Sequence, residues 1–317
     1  MGKSVESKDW LLIVNPNAGK KKGKKDWDKI SSLLHNYDIP FKSKFTQNKH
    51  HAIELAREGI NEGFRKILVV GGDGTMNEVI NGVYLQDSCP TIAIIIGMIS
   101  VGTGNDWGRM FGITNDYEEA IRIIKAGRIC IQDSGVVRYY SGTSLKSRYF
   151  VNMAGLGIDA VVVSRTNRQK DKGRSGKAIY LINLLSSLIG YKAVDTEVVI
   201  DGNIIRHDIF SISLGIGRYS GGGMLQTPNA IPDDGLFDIT VIKKMRYGEI
   251  IRSMKKLYDG TILDHPKTEA FRGRNIKIDS DPLIHVEADG ESLGHSPIEF
   301  DIIPKSIKVI CGTCANE

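Results

Sequence analysis

Short apolar runs separated by amphipathic stretches fill the chain up to about Ile129, and alternating apolar and polar positions dominate beyond it. Trp10 to Asn15 (WLLIVN) reads as a strand closed by Pro16. A helix around Trp27 to Leu34, a strand near Phe41 to Thr46, a helix from Ala52 to Glu62 and a strand at Ile67 to Val70 follow. A helical pattern begins at Met76, and Thr91 to Ile96 and Tyr117 to Ala126 read as a further strand and helix. Strands alternating with helices imply a doubly wound parallel sheet, with ligands outside the carboxyl ends of its strands. In the second half, strand-like runs occur at Ile129 to Tyr139, Tyr149 to Ala154, Glu197 to Ile200, Ile204 to Leu214, Phe237 to Ile242, Ile276 to Ile278, Ile284 to Glu287 and Ile298 to Ile303. Asp201-Gly202 and Asp289-Gly290 mark hairpin turns among them. This predicts an antiparallel β domain. The chain is long enough for two cores, divided here as residues 1–130 and 131–304.

The candidate chemistry gathers at strand ends. Ile67 to Val70 runs straight into Gly71, Gly72, Asp73, Gly74 and Thr75 before the helix, a strand–glycine turn–helix junction. Glycine lets an anion approach the backbone, and the first amides of a helix point their N–H groups at it, so phosphate is the expected guest. Asp73 is electrostatically wrong for passive anion binding and implies a divalent cation or a proton-accepting role. Thr46, the turn from Gly71 to Asn77, and Thr103 place hydroxyls and amides at neighbouring strand ends, as the phosphates and ribose of ATP require. Asn105 and Asp106 follow a second glycine turn and are read either as an Asx turn or helix cap or as part of that site.

GGDGTMNEV, with NPNAG upstream at Asn15 to Gly19 and GTGNDWGRMFGI downstream at Gly102 to Ile113, resembles the diacylglycerol kinase catalytic-domain family of soluble lipid kinases, related to sphingosine and ceramide kinases. GGDGT alone is shared with NAD kinases. The resemblance implies an α/β fold: an NAD kinase- or phosphofructokinase-like nucleotide domain, completed by 305–317, and a C-terminal antiparallel β-sandwich-type domain for the lipid. It implies nucleotide binding by Asn15, Thr46, Gly71, Gly72, Asp73, Gly74, Thr75, Met76, Asn77, Thr103 and Asn105. Thr46 and His51-Ala52 match its T-x-x-x-x-H-A. It makes Asp289-Gly290-Glu291 the catalytic turn, where a carboxylate takes the proton of the lipid hydroxyl; Asp289 and Glu291 are the first choices and Asp73 the metal-linked partner. The bland reading of Asp289-Gly290 is a plain hairpin, for which Asp201-Gly202 supplies an inert comparison. In the loop Gly221 to Ile239 it implies a structural Mg²⁺ or Ca²⁺ on Asp234 and the carbonyls of Ile231 and Leu236, weakened because some members carry an Asp where this chain has Ile231.

The expected activity is ATP- and Mg²⁺-dependent phosphorylation of a lipid hydroxyl, diacylglycerol or a related long-chain alcohol, with an NAD kinase or a silent nucleotide-binding regulator as alternatives. Composition is that of a soluble globular protein. The N-terminus does not read as a signal peptide, and the longest apolar run, Ile92 to Ile99, is too short to cross a bilayer, so a cytoplasmic location is expected. The four cysteines are too few for a disulfide scaffold, and Cys311-Gly-Thr-Cys314 reads as coincidental spacing. A formal charge of +5 is concentrated at Lys20 to Lys25 and at Arg165 to Lys177. These are read as solvated loops or as contacts with an anionic membrane to which the protein binds transiently; nucleic acid ranks last, for want of an aromatic platform. Ala178 to Tyr191 is apolar nearly all round and reads as a buried helix or as a wall through which lipid reaches the site. A homodimer is compatible with the sequence.

Overall fold

The computed structural model describes residues 7–102, 104–171 and 177–313. The chain divides into two compact units, Met1–Gln132 with Lys305–Glu317, and Asp133–Pro304.

The first unit opens with β1 (Trp10–Val14), α1 (Ala18–Lys25), α2 (Trp27–Asn36), β2 (Phe41–Phe45) and α3 (His51–Asn61). It continues through β3 (Lys66–Gly71), α4 (Asp73–Tyr84), β4 (Ile95–Ser100), α5 (Asp106–Met110) and α6 (Tyr117–Ala126). β1, β3 and β4 are buried runs of β-branched and leucine residues, and they pair in parallel as β2-β1-β3-β4. Lys308 and Val309 of the returning C-terminal segment add parallel pairing to β4. Leu12, Val14, Leu68, Val70, Ile99 and Ile310 pack with Ile30, Leu34 and Ile121 of the covering helices. α6 matches its predicted span because both ends are signed: Asp116 accepts the Glu119 amide, and Gly127 ends the helix at φ 68°.

Two predicted boundaries move. α4 starts at Asp73 rather than Met76, so the glycine turn and the first helical turn overlap. The strand expected at Thr91 to Ile96 is a 3₁₀ turn at Thr91–Ala93 followed by β4; Pro90 sets up the turn, and the sheet takes the apolar residues beyond it. The cysteines also correct the expectation. Cys130 and Cys311 form a disulfide across 181 positions with Cα atoms 6.3 Å apart, a tertiary pairing that the sequence reading did not foresee, while the C-x-x-C spacing stays coincidental. Cys314 lies outside the described residues.

The second unit takes up β5 (Ile129–Ser141) from Asp133 onward, then β6 (Ser144–Phe150), β7 (Met153–Gly157), α7 (Ile158–Asp171), α8 (Lys177–Leu188), β8 (Val194–Ile200) and β9 (Asn203–Gly215). The short hairpin of β10 (Tyr219–Ser220) and β11 (Met224–Leu225) precedes β12 (Phe237–Lys243) and α9 (Tyr247–Asp259). β13 (Thr268–Gly273), β14 (Asn275–Asp281), β15 (His285–Ala288) and β16 (Glu291–Ile310) complete the order. Antiparallel pairing runs β7-β9-β8-β14-β16-β15 and back to β7, a sandwich-like closure in which β9 and β16 each serve neighbours at both ends. The run predicted as Tyr149 to Ala154 is two strands, broken at Val151-Asn152. β13 escaped the sequence reading because its TEAFRG carries Glu and Arg among only three apolar or small residues. Phe150, Phe237 and Phe300 meet in the core, the first pair stacked at 5.8 Å. Phe150→Ala is expected to cost about 3–5 kcal/mol, read as a lowered urea midpoint, because it opens a cavity where all three rings meet.

Candidate functional site

In the first unit the three glycine-bearing motifs converge at the carboxyl ends of the parallel strands. Asn15, just past β1, donates its side-chain amide to Thr75 Oγ1 at 2.9 Å, and its own carbonyl oxygen Oδ1 accepts the Asn17 amide. Gly19 sits at φ 59°, so close to Val101 that a Cβ would lie 1.7 Å from its carbonyl oxygen. A Cβ on Gly102 would stand 2.8 Å from the Gly72 Cα. Backbone therefore meets backbone among NPNAG, GGDGT and GTGND, and only glycine permits it. The α4 N-terminus follows Gly72 with no side-chain cap, and Gly72, Asp73 and Gly74 are half-buried. This turn lies at the positive end of a helix 12 residues long, the arrangement that binds phosphate.

The remaining sequence-predicted residues fall around this point with distinct roles. Gly71 closes β3 and Thr75 is buried above it, a contact too tight for any Cβ on Gly71. The Met76 amide is spent on the Gly72 carbonyl, and Asn77 is buried within α4, where its carbonyl accepts from Asn81. Thr46 is buried at the end of β2, its amide on the Val14 carbonyl. Asp73 accepts the Asp106 and Trp107 amides at 3.4 and 3.3 Å, which ties the start of α4 to the GTGND turn. Asn105 takes φ 54° and turns its side chain inward to the Ile113 carbonyl at 3.2 Å, so it braces the loop and does not cap α5. Thr103 lies outside the described residues. Sequence reasoning missed Glu78, whose carboxylate accepts the His50 and Ala52 amides and fixes the start of α3 next to Thr46.

In the second unit, the two Asp-Gly turns prove alike. Asp201 and Asp289 both adopt positive φ, 47° and 48°, before a positive-φ glycine, as a two-residue hairpin demands. Asp201 accepts the Arg274 and Asn275 amides. Asp289 is buried and accepts three, from Val151, Asn152 and Met153 at 3.0–3.1 Å. The break between β6 and β7 thus exists to present those amides. Glu291 is half-buried on the other side of the turn. Behind it stands a carboxyl absent from the sequence reading, Glu287, fully buried after a register shift in β15 and accepting the Gly290 amide at 2.8 Å. Burial, with the Asp159 and Asp289 charges adding to it, holds Glu287 well above the usual carboxylate range.

Asp159 is the second missed acid. Gly155 lies between it and Glu287, leaving no room for a side chain there. Its carboxyl accepts from Ser211 Oγ at 2.5 Å, and burial raises its pKa to about 6. Asp159, Ser211, Ser213 and Gln226 form one end of a cavity otherwise walled by Leu184, Leu188, Phe210, Ile242, Met254 and Ile262. Leu188, Phe210, Met245 and Ile250 are shared with a half-open cleft of about 760 Å³ between the ends of α8 and α9, within the range of ligand pockets. On α8, Leu184 and Leu188 are buried and Ile182 and Ile189 are exposed, and Leu188 and Ile189 line the cleft.

The Asp234 loop fits a divalent cation poorly. Asp234 accepts the Leu236 amide at 3.0 Å and is bound by the Arg272 guanidinium, which reaches Asp238 Oδ2 at 3.3 Å as well, while the Asp133 carboxylate accepts the Gly235 amide of the same loop. Asp238 and Arg272 are direct cross-strand partners, and Arg218 holds the Ala230 carbonyl nearby. A metal on Asp234 with the Ile231 and Leu236 carbonyls would have to displace a guanidinium that already neutralises the acid. Among the described residues no group of three or more His, Cys, Asp or Glu is arranged to hold a metal.

An α/β unit with glycine turns at its strand ends, followed by a sandwich-like β unit, makes up an NAD kinase-like architecture. The chain belongs to the diacylglycerol kinase family: residues 9–137 match the diacylglycerol kinase catalytic domain, and residues 152–311 match the YegS C-terminal NAD kinase beta sandwich-like domain. By class it is a lipid kinase. The diacylglycerol kinase of Staphylococcus aureus (strain MRSA252) is 29% identical over 298 residues, 94% of this chain and 90% of that protein. That of Staphylococcus carnosus (strain TM300) is 28% identical over 94% and 93%. A solved diacylglycerol kinase from Bacillus anthracis str. Sterne superposes with a TM-score of 0.70 at 22% identity, covering 97% of this chain and 98% of that one. Yeast NADH kinase complexed with NADH gives 0.52 at 12% identity, covering 96% and 84%. The last two are likenesses of fold.

Two outcomes follow for this unit. Nucleotide-free protein should melt at the same temperature in EDTA as in excess Mg²⁺ or Ca²⁺, whereas Arg272→Gln should lose about 1–3 kcal/mol in urea unfolding, by stranding Asp234 and Asp238. Asp159 titrates near 3.8 when unfolded and about 6 when folded, so the unfolded chain sheds that proton first. Stability from this group is full below about pH 3.8, falls as pH rises to about 6, and is level above. Asp159→Asn should therefore gain on the wild type by about 3 kcal/mol across that window, measured by urea unfolding at successive pH values.

Proposed function

We propose that this lipid kinase transfers the γ-phosphate of ATP to the hydroxyl of diacylglycerol or a closely related long-chain alcohol. The observation that carries the reading is the convergence of three glycine turns on the uncapped N-terminus of α4. Phosphoryl transfer needs little covalent help from a protein; it needs aligned groups and neutralised charge. The α4 amides, with Gly72 and Gly102 clearing the approach, supply fixed donors for a triphosphate. Mg²⁺ arriving with the nucleotide would neutralise charge on its β- and γ-phosphates, and Asp73 and Thr75 are the oxygens on this chain suited to hold it. The donor half of the reaction belongs to the first unit and the acceptor half to the second.

Glu291 is the base in this reading. Asp289, whose carboxylate is bound by three backbone amides, is stabilised as an anion and held in place, so it shapes the turn rather than taking a proton. Burial raises Glu287 well above the usual carboxylate range, which favours its neutral form beside Glu291, and its carboxyl holds the Gly290 amide. The acyl chain lies in the cleft between α8 and α9, whose walls are Leu188, Phe210, Met245 and Ile250. NAD kinase activity is the second reading; a wide apolar cleft in the acceptor unit favours the lipid.

The test is phosphate transfer from labelled ATP to lipids in mixed micelles, with NAD and water as alternative acceptors. Label on diacylglycerol is expected, and label on NAD alone overturns the reading. Glu291→Gln should lower kcat by about 10²- to 10⁴-fold with an unchanged melting temperature. Asp289→Asn should instead lower the melting temperature, since it weakens the acceptor of three amides; a normal fold with the deeper loss of kcat would move the base to Asp289.

A further inference from the structure

The short helix α5 is held from both sides by the two segments that the disulfide joins. Cys130 and Gln132 are buried two positions apart on one face of β5, and the Gln132 side-chain oxygen accepts the Trp107 indole N–H at 3.1 Å. On the other side, Cys311 lies just past β16, and the next amide, that of Gly312, donates to the Phe111 carbonyl at 2.8 Å. A Cβ on Gly112 would stand 2.7 Å from Thr313 Oγ1, so this segment is packed directly on the chain leaving α5. Trp107 and Phe111 are buried between the two supports, their ring centres 5.1 Å apart. All of these residues belong to the first unit.

The grip on α5 bears on the nucleotide site because the first amides of this helix end on the GGDGT turn. Asp106 and Trp107 donate to the two carboxylate oxygens of Asp73. Trp107 thus joins both ends of the chain of contacts: its indole meets the strand that carries Cys130, and its amide meets the acid suited to the Mg²⁺ of the nucleotide. The disulfide ties segments 181 positions apart, beside a backbone bond from the Cys311 amide to the Arg128 carbonyl at 3.1 Å. Breaking it leaves residues 311–313 to noncovalent contacts alone, and α5 loses a fixed support.

We propose that the Cys130–Cys311 disulfide is a positioning element for Asp73 and a thiol-operated control on Mg²⁺-ATP binding. Oxidised, it clamps α5 and fixes Asp73; reduced, it lets α5 shift and Asp73 with it. The proposal rests on the reading above that Asp73 meets the Mg²⁺ arriving with ATP. The reductant is a dithiol. Its thiolate attacks Cys130 Sγ, since Cys130 is 8% exposed against 1% for Cys311; the S–S bond breaks, and Cys311 leaves as a thiolate that takes up a proton. The second thiol of the reductant then displaces Cys130 from the mixed disulfide, and Cys130 is protonated in turn. Two electrons and two protons pass to the protein, and the reductant ends as a disulfide.

The experiment is calorimetric titration of the full chain, purified without reductant, with ATP in Mg²⁺ and with ATP in EDTA, before and after dithiothreitol in native buffer. Thiols counted alongside should rise by the two of the disulfide. Reduction should weaken Mg²⁺-ATP binding at least about fivefold and leave metal-free ATP binding within about twofold. Cys130→Ser with Cys311→Ser should bind like the reduced wild type and ignore dithiothreitol. Gln132→Leu, which keeps the disulfide but removes the acceptor of Trp107, should show the same selective loss, and wild-type Mg²⁺-ATP affinity in this variant overturns the path through Trp107 and the proposal. Equal Mg²⁺-ATP affinity in the two redox states overturns the proposal and leaves the nucleotide reading standing, even where the melting temperature falls. Equal loss with and without Mg²⁺ overturns it too, because a general loosening of the unit does that. So does a thiol count that dithiothreitol fails to raise. If the oxidised wild type binds ATP no more tightly with Mg²⁺ than without, the Asp73 reading itself has failed and the proposal falls with it.

Discussion

Gly72 and Gly102 approach so closely that a methyl group on Gly102 would stand 2.8 Å from the other's Cα. That contact sets the geometry of the nucleotide unit. Parallel strands deliver their carboxyl ends to one edge, but loops leaving those ends ordinarily hold each other apart by their side chains. Here three glycine turns let NPNAG, GGDGT and GTGND close up until main chain faces main chain, and the Asn15 to Thr75 hydrogen bond ties the first turn to the second. Between them lies the start of α4, half-buried and without a side-chain cap, at the positive end of its helix dipole. An anion is the only guest whose charge such a floor rewards.

The second unit solves a different problem, that of keeping acids together without scattering their charge. Asp289 accepts three amides, Glu287 is buried and shifted well above the usual carboxylate range, and Asp159 is raised to about 6 with a serine and a glutamine beside it. Hydrogen bonds to a carboxylate favour its charged form and burial disfavours it. The same division of labour appears at Asp234, where an arginine across the strand pair does what a metal ion would do in a more acidic loop.

How much of this could be read from the chain depends on how far apart the partners lie. β1, β3 and the α6 helix are local statements, an apolar run or a capped amphipathic stretch, and they stand where the pattern put them. The glycine turns were legible because strand, glycine and helix follow one another without a gap. Asp289 and Asp201 were legible as hairpin turns, but the amides that occupy Asp289 belong to Val151–Met153, more than 130 positions earlier. Glu78 capping α3, Cys130 meeting Cys311, and Asp159 beside Ser211 are likewise tertiary meetings with no periodic trace. β13 was missed for another reason: Glu269 and Arg272 interrupt its apolar residues, and a strand with one wet face dilutes the apolar signal that identifies it.

The convergence of the glycine turns is the claim on which the catalytic reading stands. Its most direct measurement is the ATP affinity of Gly102→Ala beside the wild type, by calorimetric titration with Mg²⁺ present and with the melting temperature of each protein taken alongside. A Cβ there drives the GTGND turn away from Gly72 and opens the floor under the phosphates. The account predicts a variant that still folds and binds ATP at least about tenfold more weakly, a loss of about 1.4 kcal/mol or more. Wild-type affinity in the folded variant would contradict it.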